Sequence, residues 1–195
     1  MAIALILSAA CQGGGAPRPA DRKAQGDPEW WLDALQVEQD RYVNAVIRKC
    51  PAQGFLSNRK CVKATIFESF ARQPGAGVPC DAEDPLGGLT LCMDLITATE
   101  RAYRALGTDP QSVTDWDDQY DAFAAVSQLV ATRLTSKCPD SAQGGCIAQE
   151  VSDLFGVPLA EADRCVLSSE MKRQVNCAMG LIRIEGYKSA LLKAG

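Results

Sequence analysis

Eight of the nine cysteines form a frame that occurs twice, and this constrains the chain more than any other feature. Cys61, Cys80 and Cys92 are spaced 19 and 12 positions apart, and Cys146, Cys165 and Cys177 repeat both intervals. Cys50 and Cys138 each precede a proline and stand 11 and 8 positions before the next cysteine. A duplicated frame of this kind reads as an internally repeated module, stapled by disulfides and made for an oxidising compartment.

The ninth cysteine closes an apolar leader. Ala2 to Ala10 is interrupted only by Ser8, and Ser8-Ala9-Ala10-Cys11 sets small residues directly before a thiol. This stretch resembles the lipobox of bacterial lipoproteins, where cleavage leaves the cysteine as a lipidated N-terminus. Leu7 stands one place early and no Lys or Arg precedes the run, so an ordinary secretory signal is the alternative. Residues 1–11 are expected to be a signal or lipobox-like leader with Cys11 as the lipidation site, which leaves an even number of cysteines to pair. The run is too short to span a bilayer as a mature helix. Residues 12–26 contain no Leu, Ile, Val or aromatic side chain and read as a flexible tether. The expected location is the periplasm or cell envelope, with membrane attachment through the N-terminal lipid only.

The remainder reads as all-α: two tandem disulfide-stapled three-helix repeats over 27–107 and 110–195. Asp27-Pro28-Glu29 has the character of a helix start. Trp31, Leu35, Tyr42 and Val46 then share one face, widened by Leu32 and Val43. Cys50-Pro51 stops this helix. In the second copy a helix from about Thr114 carries Trp116, Tyr120, Phe123, Val130 and Leu134, and stops at Cys138-Pro139. Val62, Ile66 and Phe70 mark a second helix, matched 85 positions later by Ile147, Val151 and Phe155. Pro74-Gly75 and Gly156 to Pro158 are its expected ends. Third helices carry Cys92, Ile96, Tyr103 and Leu106, and Cys177, Leu181, Ile184 and Leu191. Of adjacent Trp30 and Trp31, one is expected in the core and the other at the surface or against the second repeat.

Four cysteines per repeat allow three connectivities. Sequential pairing, Cys50 with Cys61, Cys80 with Cys92, Cys138 with Cys146 and Cys165 with Cys177, is preferred. It fastens consecutive helices across each Cys-Pro corner. The alternative is a nested pairing, with both cysteines of each partner set on one helix, which Pro51 and Pro139 would interrupt.

Chemistry is limited by composition. With no histidine, Ser-His and Cys-His nucleophile pairs and the commonest metal ligand are absent. No Cys-x-x-Cys occurs, so neither a zinc knuckle nor a redox dithiol is signalled. A net charge of −4 argues against nucleic acid as partner. Asp115, Asp117, Asp118 and Asp121 lack the glycine of a calcium loop and suit a helix start. Asp81, Glu83 and Asp84 suit a cap before the third helix. An enzyme built on carboxylates such as Asp117, Asp118 and Glu185 is the least favoured reading. No catalytic residue, metal or cofactor is assigned.

The stretch Cys165-Val-Leu-Ser-Ser-Glu-Met-Lys-Arg-Gln-Val-Asn-Cys177-Ala178 resembles the LprI-like family of bacterial envelope proteins, and Cys80 to Cys92-Met93 is a second copy. The resemblance covers about thirty residues of each repeat. It implies a small, exported, disulfide-bonded helical protein with a protein partner, and lysozyme inhibition as the activity. The alternative is a structural or assembly component of the envelope without inhibitor activity. Contact surfaces are expected on the loops 51–58, 73–84 and 156–163.

Overall fold

A computed structural model of the chain describes residues 26–51, 54–73, 80, 83–109, 119–139 and 144–195. The all-α expectation is met: seven α-helices and two short helical turns make up the regular structure of these residues. They are α1 (Trp30–Lys49), α2 (Phe55–Ser69), α3 (Thr90–Ala105), α4 (Gln119–Lys137), α5 (Gly144–Phe155), α6 (Leu159–Ala162) and α7 (Met171–Ala194). A wide turn, Pro85–Leu89, runs into α3, and a 3-10 turn, Asp163–Leu167, precedes α7.

Local sequence sets these boundaries. The Asp27 carboxylate accepts the Glu29 N–H at 2.8 Å, and the Trp30 N–H reaches the Asp27 carbonyl at 3.2 Å, which opens α1. α1 and α4 both end at the residue before Cys-Pro, where proline disfavours the helical region for its predecessor. α2 closes earlier than Pro74-Gly75, a pair outside the described residues. Ala71 takes the left-handed conformation with φ of 56°, and the Arg72 N–H turns back to the Phe67 carbonyl at 2.7 Å. Gly156, 85 positions further on, closes α5 in the same way with φ of 63°. A Cβ in that conformation costs about 1–2 kcal/mol, and glycine avoids it.

Four disulfides join Cys50 to Cys61, Cys80 to Cys92, Cys138 to Cys146 and Cys165 to Cys177, with Cα separations of 5.7, 5.9, 5.9 and 5.4 Å. This is the sequential connectivity. Each closes a loop of 8 to 12 positions, worth about 2–3 kcal/mol by chain entropy. They place the chain in an oxidising compartment.

The described residues of 27–107 and of 119–195 share one hydrophobic core. The two most extensive helix contacts are α1 with α7 and α3 with α4, so the first helix of each half lies on the last helix of the other. α7 is the axis and touches α1, α2, α3 and α4. Close approach depends on Gly180, where a Cβ would overlap the Trp31 ring. About two turns further along α7, Tyr187 gathers with Tyr42 and Phe70, with ring centroids 5.3 Å (Tyr42–Phe70), 5.7 Å (Tyr42–Tyr187) and 6.1 Å (Phe70–Tyr187) apart. The stripes Val62, Ile66, Phe70 and Ile147, Val151, Phe155 are buried as expected. Other expected face residues are less so: Trp31, Val43, Leu106, Phe123 and Leu191 are half-buried, and Leu32 is 43% and Tyr120 52% exposed.

One buried ion pair crosses between the halves. Asp94 on α3 is 1% exposed and accepts from Nε and Nη2 of Arg183 on α7 at 2.7 and 2.5 Å. Burial pushes the Asp94 carboxyl up to about 6 despite the opposing charge and hydrogen bond of Arg183. The Tyr187 hydroxyl, buried and facing the Asp94 charge, is held well above its ordinary range. Burial also raises Tyr42 to about 12, against the lowering effect of its 2.5 Å hydrogen bond with Ser69.

Two outcomes follow for stability. Ala71→Gly should raise it by about 0.5–1 kcal/mol in denaturant titrations, the relieved left-handed strain exceeding the added chain entropy. Asp94 holds its proton more tightly folded than unfolded. Its contribution is therefore complete below the unfolded pKa of about 4 and is lost as pH rises through about 6. Thermal melts should show the wild-type protein losing stability across that window relative to Asp94→Asn, whose profile there is flatter.

Candidate functional site

A groove of about 410 Å³ runs between α1, α6 and α7. Its walls come from α1, from α7 and from the segment 157–161 that leads into α6. Ala34 and Val37 from α1, Val157 from the segment before α6, and Leu181 and Ile184 from α7 give it an apolar floor. Its rim carries charges that are already neutralised in pairs. Arg41 meets Glu38 at 2.7 Å, Lys188 meets Glu185 at 2.7 Å and Arg164 meets Glu161 at 2.9 Å. Val37 is 36% exposed, and Leu159, beside Pro158 at the start of α6, extends the apolar surface.

Trp30 seals one end. Its indole is buried, its N–H donates to the Arg164 carbonyl at 3.4 Å, and the Arg164 guanidinium lies 3.4 Å from the ring centroid. A cation over an indole face is attracted by the ring quadrupole. Both tryptophans thus lie against the second half, Trp30 under Arg164 and Trp31 over Gly180.

A second concavity lies at the corner between the end of α1, α2 and the Pro85–Leu89 turn, with Ile47, Pro51, Asn58, Val62, Glu83 and Leu86 around it. Of the expected loops, Pro51, Gly54, Asn58, Glu83 and Asp84 line this corner, whereas Val157, Pro158 and Glu161 line the α1–α6–α7 groove. Residues 52–53, 74–79 and 81–82 lie outside the described residues. Asp84 acts as a cap, accepting the N–H groups of Leu86 at 3.0 Å and Gly87 at 3.1 Å.

Other residues singled out by sequence fall as follows. Cys11, Asp81, Asp115, Trp116, Asp117 and Asp118 lie outside the described residues, and Asp121 is in the first turn of α4. Glu100 is paired with Arg72 and, at 3.4 Å, with Arg104, on a different helix from Glu185. Among the described residues no group of His, Cys, Asp and Glu could hold a metal ion, and no helix is long and apolar enough to cross a membrane.

No family model, curated protein or solved structure matches the chain. The site is therefore read from its own residues. The arrangement offers a rigid apolar slot that can seat an aliphatic or aromatic side chain, framed by hydrogen-bonding groups in fixed positions. The loop 156–163, expected from sequence as a contact loop, lines part of this groove, whose other walls, α1 and α7, the sequence reading did not name. Ala34 and Val37, flanking the buried Leu35 stripe, were the available signal.

Arg164→Ala should lower stability by about 1 kcal/mol through loss of the stacked cation. Arg164→Lys should retain part of it. Paired thermal melts check this, and unchanged melting temperatures in both variants would show that the stacked cation contributes nothing.

Proposed function

We propose that this is an exported helical binding module of the cell envelope, anchored through Cys11, that seats part of a protein partner in the α1–α6–α7 groove. The observation that carries this reading is the groove itself, an apolar floor with a charge-paired rim on a frame fixed by local disulfides. A preorganised frame loses little conformational entropy on binding, so more of the contact energy appears as affinity. The four disulfides support the exported location.

Lysozyme is the partner proposed, on the resemblance of Cys165 to Ala178 and of Cys80 to Met93 to the LprI-like family. The net charge of −4 supports it, since an acidic surface accelerates encounter with a basic enzyme. The alternative, an envelope assembly component, would give a self-associated species in light scattering and no inhibition.

The deciding experiment is an assay of hen and bacterial lysozymes with the oxidised protein. Half-inhibition is expected at micromolar concentration or below. Val37→Arg should weaken it at least tenfold, about 1.4 kcal/mol of binding, with an unchanged melting temperature. Absence of inhibition with all disulfides intact would end the lysozyme reading. Inhibition untouched by Val37→Arg would move the contact away from the groove.

A further inference from the structure

The four disulfides close loops of 8 to 12 positions, and all eight of these cysteines pair within their own half of the chain. Nothing covalent joins 26–109 to 119–195 among the described residues except the backbone through 110–118. Yet extensive contacts lie between those halves. Trp31 rests on Gly180, Tyr42 and Phe70 face Tyr187, and Asp94 holds Arg183. Arg101 also donates to the Phe155 carbonyl at 2.8 Å. Each half alone would expose these groups to water, and each would carry one unpaired member of the Asp94–Arg183 pair. The contacts are dense because each half contributes its first helix to the other's last.

We propose that the protein is an intramolecular dimer of two separately stapled halves. The surface formed by α1, α2 and α3 is a protein-binding surface whose partner is the half containing α4 to α7. The association is wholly noncovalent and persists when the connector at 110–118 is cut. The α1–α6–α7 groove takes walls from both halves, so it is assembled by this association and retained after cleavage.

The test uses the full oxidised chain with a site-specific protease sequence inserted between Pro110 and Asp118, and the uncut form of the same protein as control. After cleavage, the halves should co-elute in size exclusion at micromolar concentration with the mass of the uncut protein. A denaturing gel without reductant should show two fragments. The melting temperature of the cut protein should fall on tenfold dilution, while that of the control should not, because only the cut form dissociates as it unfolds. Separation or aggregation of the halves under native conditions overturns the proposal. So does a single uncleaved-size band without reductant, which would mean a disulfide between halves.

Discussion

The approach of α1 to α7 governs the rest of the architecture. It is possible because position 180 has no side chain and the Trp31 ring occupies the space one would need. The missing side chain on α7 lets α1 seat a large ring there, and the two helices make an extensive contact. α7 also meets α2, α3 and α4, helps enclose the aromatic group around Tyr187, and shares the walls of the groove with α1 and the segment leading into α6.

The buried pair of Asp94 and Arg183 contributes in a different way. Removing a carboxylate from water costs several kcal/mol, and here that cost outweighs the attraction enough to raise the proton affinity of Asp94. A pair of this kind adds little net stability over apolar side chains of equal volume. Losing one partner, however, costs about 3–5 kcal/mol. Its effect is therefore on register: α3 and α7 are held at one axial offset because any other leaves a charge without its counterpart. Phe123, whose ring centroid is 5.9 Å from the guanidinium, covers the pair from α4.

Much of the local structure was legible in sequence. Cys-Pro at 50–51 and 138–139 marks true helix ends, and the four-residue steps of Val62, Ile66 and Phe70 and of their counterparts mark true core faces. Nearest-neighbour pairing of cysteines was readable because a proline separates the members of each corner pair. These features depend on interactions a few residues long. The association of first helices with the opposite half was not readable, since amphipathic stripes state which face is buried and not against what. The groove escaped for the same reason, since its walls come from helices far apart in the sequence. Ala71 escaped because a left-handed cap is signalled by glycine, and this copy of the cap lacks one.

The order of the cross-links along the chain has a consequence for biogenesis. From Cys50 onward, each thiol's correct partner is the next one to emerge or the one just before it. A polypeptide delivered N-terminus first into an oxidising space would thus complete each bond before the following pair arrived. Non-native links would have little time to form, and maturation would need an oxidant but little shuffling by an isomerase.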